Sequence, residues 1–168
     1  MLQTYDSERS SGNTAERVSR LRANFDSLGV DGILVPRVDE HQGEYVAARS
    51  ERLAWLTGFT GSWGQALILR QTAHVFVDGR YTVQAAQQLD PTVFTVEDLV
   101  VTPPSKWMPD HLGKGARIGF DPWLHTISEV KSLEAAVAKF SGKLVALDTN
   151  PIDAIWDDQP EPPLGKVT

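Results

Sequence analysis

Short apolar runs of strand type alternate along this chain with stretches whose apolar residues recur at helical spacing, and this alternation constrains the fold most. One connection, residues 70–72, is short enough for a hairpin. The pattern therefore predicts an α/β domain with a mixed sheet covered by helices. The predicted strands are residues 32–36, 65–69, 73–77, 92–96, 117–120 and 144–147.

Two of the predicted helices carry their own start signals. The first is expected to begin near Asn13, because Asn13 and Glu16 have the spacing of a capping box, and to end at Gly29. The second is expected to begin at Thr126, which has Glu129 three residues later. Shorter helical stretches are predicted between the other strands, at residues 50–56, 79–89, 105–112 and 151–156.

The chain divides into one domain and two polar ends. Its 168 residues are enough for one domain with a buried core. Residues 1–12 are predicted to form a flexible leader, residues 13–156 the folded domain, and residues 157–168, which are acidic and rich in proline, a linker. A linker at the end of the chain leads us to expect a fragment cut at a domain boundary.

Composition excludes several functional classes. A net charge of −6 argues against a nucleic-acid binder, which usually has a basic face. There is no run of about 18 apolar residues for a membrane span and no apolar core of a signal peptide. Without cysteine the chain has no disulfide, zinc–thiolate site or thiol nucleophile. We therefore expect a cytoplasmic protein that does not bind membranes.

Three polar segments, residues 39–45, 57–62 and 78–81, are dense in charged, aromatic and glycine residues. Within the first, Asp39, Glu40 and His41 are adjacent, and adjacent side chains point in different directions, which argues against a metal site. A solvated loop is the alternative. The segments are typical of a binding site, yet no complete catalytic set is present.

Glu44 and Arg80 are the more informative charged residues, because both are predicted to lie in loops or at strand ends. Glu44 is suited to a substrate ammonium group, and Arg80 to a carboxylate or a carbonyl oxygen. The alternative for Arg80 is an ordinary surface ion pair with Asp78. The nearby glycines of residues 58–64 match no nucleotide-binding motif and suggest a tight turn.

These strings together resemble the N-terminal domain of Xaa-Pro aminopeptidases, in the creatinase/prolidase group of metallopeptidases. The resemblance rests on Asp-Glu-His-Gln-x-Glu-Tyr at residues 39–45, on Leu-Thr-Gly-Phe-Thr-Gly-Ser at residues 56–62 and on Asp-Gly-Arg-Tyr at residues 78–81. Residues 118–122 and 150–156 also resemble the large, three-domain branch. The likeness covers about residues 15–163, nearly the whole chain.

The resemblance implies a ribonuclease-H-like α/β fold with a mixed sheet of roughly six strands. It implies that the parent enzyme, expected to be a homodimer, removes the N-terminal residue preceding proline from peptides. Two divalent metal ions, usually manganese, would be bound by a C-terminal domain, so the fragment itself is expected to hold no metal and to be inactive. By the same resemblance His41, Glu44 and Arg80 are candidate substrate-binding residues.

Two alternatives are compatible with the same residues. The parent is alternatively a creatinase or a prolidase, which share the fold and differ in substrate. The chain is alternatively a stand-alone binding domain without a catalytic partner, although its proline-rich end argues against this.

Overall fold

A mixed six-stranded sheet forms the centre of the protein. The computed structural model describes residues 4–42 and 46–161, with side chains from residue 13 onward. The strands are β1 (Gly32–Pro36), β2 (Gly64–Leu69), β3 (Ala73–Val77), β4 (Thr95–Asp98), β5 (Arg117–Phe120) and β6 (Lys143–Ala146). Their order is β4-β3-β2-β1-β5-β6, which confirms the predicted mixed sheet.

Helices cover both faces of this sheet. They are α1 (Thr4–Ala23), α2 (Phe25–Leu28), α3 (Arg52–Thr57), α4 (Thr82–Gln88), α5 (Pro104–His111), α6 (Ile127–Ala138) and α7 (Pro151–Ile155). One core contains buried residues of α1, α2, α3, α4 and α7, and the other contains buried residues of α5 and α6. The predicted α/β layering is therefore confirmed. No helix within residues 4–42 or 46–161 is long and apolar enough to cross a membrane.

Helix ends follow the predicted chemistry at several points. The Thr126 side chain accepts a hydrogen bond from the backbone N–H of Glu129, as the capping box predicts. Gly29 and Gly58 end α2 and α3 in the left-handed conformation, at φ of 71° and 84°. Only glycine adopts this conformation without steric cost, so both residues are effective helix stops.

The predicted bounds of the first helix and of one strand are wrong. The first helix begins at Thr4 and runs through Asn13, so Asn13 does not cap a free helix end. It ends at Ala23 instead of Gly29, and the separate helix α2 lies between them. A capping-box spacing acts only where the preceding backbone leaves helical geometry, and here it does not. The leader's flexibility stays a prediction. The strand predicted at residues 92–96 begins later, as β4 at Thr95. Residues 92–94 form a turn instead, in which Asp90 accepts the backbone N–H groups of Thr92, Val93 and Phe94.

The described part of the predicted linker, residues 157–161, lies against the domain. Gln159 donates hydrogen bonds to the backbone carbonyl of Arg49 and to Asp153. Arg49 in turn donates to the backbone carbonyl of Pro160. The last described residues therefore lie beside the short 3-10 helix Ala48–Ser50, which precedes α3.

Five strands end at the same edge of the sheet. β2 is antiparallel to both β1 and β3, and the other neighbouring pairs are parallel, so all strands except β2 point one way. We call the segments at this side of the sheet the carboxyl edge. It comprises residues 37–42, 62–63, 78–83, 99–101, 121–127 and 147–150.

Candidate functional site at the carboxyl edge

The fold brings the three predicted polar segments to the carboxyl edge. Residues 39–42 follow β1, and residues 78–81 follow β3. Gly64 pairs with Val77 in the antiparallel β2–β3 ladder, which places Ser62 and Trp63 next to Asp78. Glu44 lies outside the described residues, and its role stays a prediction.

His41 lies on an exposed loop whose backbone is held at two points. Its N–H donates to the Asp39 carboxylate at 3.0 Å, while its side chain is 82% exposed. The next residue, Gln42, donates from its side chain to the carbonyl of Leu124 at 2.9 Å, which ties the loop to the segment after β5. The His41 ring nitrogen lies 3.8 Å from Glu40, and this contact is weak because both groups are exposed. No cluster of three potential metal ligands occurs within the described ranges.

Arg80 lies in a short 3-10 helix, Gly79–Tyr81, directly after β3. One oxygen of Asp78 accepts the backbone N–H of Arg80 at 3.0 Å and its Nε–H at 3.2 Å. These two hydrogen bonds, the backbone one foremost, hold the pKa of the Asp78 carboxyl below its usual range. The Arg80 side chain is 71% exposed, so its guanidinium is available at the surface.

Tyr81 braces the segment that carries Arg80. Its hydroxyl forms a hydrogen bond with the Ser62 hydroxyl, and its ring meets the buried Phe59 ring edge-on at 6.1 Å between centroids. The Arg80 guanidinium lies 5.6 Å from the centre of the Tyr81 ring, within the range of a cation–π contact. A Cβ at Gly61 would meet the Phe59 ring at 2.3 Å, so the turn of residues 58–64 requires glycine there.

Two of the clefts along the carboxyl edge are lined by a tryptophan. One, of about 320 Å³, is lined by Arg37, Trp63, Leu99 and Leu124, among others. The other, of about 280 Å³, is lined by Arg52, Trp123, Asn150 and four carboxylates, among others. The carboxylates are Glu40, Asp121, Asp148 and Asp153. Both clefts therefore combine an indole ring with charged groups, a composition suited to peptide contacts.

Exposed apolar side chains are concentrated at this edge, and sequence reasoning missed them. Among the tryptophans, Trp107 and Trp156 are buried, whereas Trp63 and Trp123 are 61% and 76% exposed. No periodicity distinguishes exposed from buried tryptophans in this sequence. The large apolar residues exposed in the described part of the chain all adjoin the carboxyl edge: Trp63, Val83, Val100, Val101, Trp123 and Ile127.

His125 is a second residue that sequence reasoning did not single out. Its side chain is 3% exposed, and its Nδ1 lies 3.2 Å from the Glu129 carboxylate. Burial lowers the pKa of the His125 imidazole, and the nearby Glu129 opposes that effect. His125 has extended backbone just before the Thr126 cap of α6, so its contact with Glu129 is not the regular pairing of residues four apart within a helix, and the spacing alone did not predict it.

Comparison with known proteins identifies one domain family. The model of the creatinase/prolidase N-terminal domain matches residues 17–154. Xaa-Pro aminopeptidase 2 from Homo sapiens is 33% identical over 150 residues, which cover 89% of this chain and 22% of that protein. Aminopeptidase P2 from Arabidopsis thaliana is 36% identical over 158 residues, which cover 90% of this chain and 22% of that protein.

Solved structures agree with this family. An X-prolyl aminopeptidase from Caenorhabditis elegans, described as a cytosolic enzyme with a di-nuclear active site, superposes with a TM-score of 0.81 at 28% identity over 88% of this chain and 26% of that one. The N-terminal domain of the cytoplasmic peptidase PepQ from Mycobacterium tuberculosis shares the fold, with a TM-score of 0.63 at 24% identity over 83% of this chain and 98% of that one. The chain thus spans about a quarter or less of the full-length aminopeptidases named here.

Proposed function

Because the chain belongs to the creatinase/prolidase N-terminal domain family, we propose that it is the non-catalytic N-terminal domain of a Xaa-Pro aminopeptidase. The parent enzyme removes the N-terminal residue that precedes proline in a peptide. The human and Arabidopsis relatives, at 33% and 36% identity, favour an aminopeptidase over a creatinase or a prolidase. Their length also favours a multidomain parent over a stand-alone binding domain.

The position of the exposed apolar residues supports a contact with another domain of the parent. Large apolar side chains at the surface of a soluble domain mark contacts with other proteins or domains. Here Trp63, Val100 and Trp123 adjoin the same edge as the polar segments. We infer that a later domain of the parent covers part of this edge, and that the remaining loops form one wall of the active-site cleft.

Within that wall we assign binding roles to three residues. Glu44 would accept hydrogen bonds from the free ammonium group of the peptide, as an acidic side chain does for a cationic ligand. Arg80 would bind a carbonyl or carboxylate oxygen, in keeping with its exposed guanidinium. His41, whose side chain is 82% exposed, would contact the peptide beside Glu44.

We assign hydrolysis itself to a separate C-terminal domain of the parent, where two divalent metal ions, expected to be manganese, would activate the attacking water. The relative from C. elegans is described as having a di-nuclear active site, which supports this assignment. The same relative is described as cytosolic, which supports a cytoplasmic parent. We further propose that the parent is a homodimer joined through its C-terminal domain.

The first experiment tests the 168-residue chain by itself. We expect no cleavage of an Ala-Pro-Ala peptide with or without added Mn²⁺, and no stoichiometric Mn²⁺ binding in titration calorimetry. Turnover with added metal, or a one-to-one isotherm in the micromolar range, would contradict the assignment of the chemistry to another domain.

The second experiment uses the full-length parent. We expect metal-dependent cleavage of Ala-Pro-Ala and at least about a hundredfold slower cleavage of Ala-Ala-Ala, and Glu44→Ala or His41→Ala should lower kcat/KM by roughly tenfold each. Gln71→Ala, in the exposed hairpin at the opposite edge, is the matched control and should leave kcat/KM unchanged. Cleavage without preference for proline, or unchanged kinetics in both site variants, would contradict the proposal.

A further inference from the structure

We propose that Asp78 is a positioning residue, which holds the Arg80 guanidinium so that its two terminal nitrogens face an oxygen of the substrate. This inference rests on the proposed function, in which Arg80 contacts the peptide. Without this role, Asp78 would be half of an ordinary surface ion pair.

The hydrogen bonds of the pair join an exposed arginine to an aspartate whose side chain is only 23% exposed. Asp78 uses one oxygen for both the backbone N–H and the Nε–H of Arg80, at 3.0 and 3.2 Å. Among the described residues, Nη1 and Nη2 of Arg80 donate no hydrogen bond, and the side chain is 71% exposed. Arginine usually binds carboxylates through a pair of parallel N–H groups, and here the pair on the terminal nitrogens is kept available.

The aromatic contacts restrict the same side chain from another direction. The guanidinium lies 5.6 Å from the centre of the Tyr81 ring. That ring is itself held by the Ser62 hydroxyl and by the buried Phe59 ring. A guanidinium fixed at Nε and against an aromatic ring loses less conformational freedom when it binds a ligand, so less of the binding free energy is lost.

Asp78 also caps the short 3-10 helix, and this structural role must be separated from positioning. Asp78→Asn makes the separation, because an asparagine oxygen still accepts the backbone N–H of Arg80 but carries no charge to attract Nε. Asp98→Asn is the matched control. Asp98 caps the backbone N–H groups of Val100 and Val101 at the same edge without an arginine side chain.

The kinetic test uses the full-length parent and a double-mutant cycle. We expect Asp78→Asn to raise KM for Ala-Pro-Ala roughly three- to tenfold while kcat stays within about twofold, because the lost interaction acts on binding. In an Arg80→Ala background the same change should alter KM by less than about twofold, since Asp78 then has no guanidinium to position. Asp98→Asn should leave KM unchanged.

Two outcomes of this cycle would overturn positioning by Asp78. One is an unchanged KM in Asp78→Asn when Arg80→Ala raises it. The other is an equal effect of Asp78→Asn with and without Arg80. Comparing Ala-Pro-Ala with its C-terminal amide then identifies the oxygen: a larger effect of Arg80→Ala on the acid points to the carboxylate, and an equal effect points to a carbonyl.

A measurement on the 168-residue chain does not depend on catalysis. The Arg80 Nε–H should exchange with water at least about threefold faster in Asp78→Asn than in the wild type, since its acceptor is weakened. Equal exchange rates would contradict positioning whatever the parent cleaves. A parent that does not cleave Xaa-Pro bonds would instead contradict the proposed function. The exchange rates would still show whether Asp78 holds the Nε–H of Arg80.

Discussion

Two arginine–aspartate pairs in this protein use the same groups in opposite ways. Arg52 binds both oxygens of Asp153, at 2.8 and 3.0 Å, and the side chains are 10% and 31% exposed. Arg80 binds one oxygen of Asp78 through Nε, and its side chain is 71% exposed. The first pair uses Nε and Nη2 of a mostly buried arginine to hold α3 to α7, whereas the second uses only Nε and leaves both terminal nitrogens of an exposed arginine available to a ligand.

The two pairs also differ in how far apart their members are in sequence. Arg52 and Asp153 are separated by 101 residues, and their contact exists only in the folded chain. Asp78 and Arg80 are separated by two residues, so a short string contains the whole arrangement. The structural pair is thus a consequence of tertiary packing, and the candidate binding pair is a consequence of local backbone geometry.

Truncation of Arg52 should show the largest effect. Arg52→Ala removes the bidentate partner of a half-buried carboxylate, and we expect the free energy of unfolding to fall by about 2–3 kcal/mol in urea denaturation. Arg80→Ala is the control, with an expected change of at most about 0.5 kcal/mol. Equal destabilisation by the two variants would remove the distinction between a structural and a functional pair.

Arg80→Ala should show the next largest effect, and on activity instead of stability. Loss of a charge-assisted hydrogen bond to the substrate is expected to lower kcat/KM of the parent by roughly ten- to a hundredfold. Arg70→Ala serves as the control, because Arg70 pairs with Asp26 and Asp31 away from the carboxyl edge. A similar loss of activity in both variants would show that the effect is not specific to Arg80.

A smaller effect is expected at the brace beneath Arg80. Tyr81→Phe removes the hydroxyl that bonds to Ser62, and the free energy of unfolding should fall by about 0.5–1.5 kcal/mol in urea denaturation. Ser62→Ala should cost about the same, and the double variant should cost no more than either single one. Additive losses would mean that the two hydroxyl groups contribute independently.

The smallest expected effect is the titration of Asp78. Its pKa is lowered in the folded state, mainly by the backbone N–H of Arg80 and then by the guanidinium. The stability that it contributes is therefore present above its unfolded pKa of about 3.9 and is lost as pH falls through the lower folded value. An NMR titration that follows the side-chain carboxyl carbon of Asp78 should show this lowered pKa in the wild type.

The same titration in Arg80→Ala separates the contributions of the backbone N–H and of the guanidinium to the lowered pKa of Asp78. The pKa of Asp78 should move part of the way back toward about 3.9, because residue 80 still donates its backbone N–H. A complete return would mean that the guanidinium dominates, and no change would mean that the contact through Nε contributes nothing.

Most elements of the fold could be predicted, because their signals are local. β1 and β5 lie where short apolar runs bounded by breakers place them, and α6 begins at its capping box. The errors at α1 and β4 arose where two local rules competed. A helix continued through the cap spacing at Asn13, and the turn at Asp90 removed the backbone groups that a strand at residues 92–94 needed.

At the site, the residue types indicated which segments are functional, but the exposure of individual side chains could not be predicted from the sequence. His41 and Arg80 stand in strings whose polarity a buried segment would not tolerate, and both are exposed at the carboxyl edge. The burial of His125 and the exposure of Trp63 depend on which elements pack around them. No feature of the sequence distinguishes Trp63 from the buried Trp107.

The sequence by itself determined the alternation of strands and helices, the single hairpin and the polar strings, because each depends on residues a few positions apart. The tertiary structure alone decided that those strings meet at one edge, beside exposed indole rings and two clefts. The physical reason is strand direction. The chain reverses direction twice, between β1 and β2 through the connection that contains α3 and between β2 and β3 through the hairpin. All strands except β2 therefore end at the same side, and that arrangement exists only once the sheet is formed.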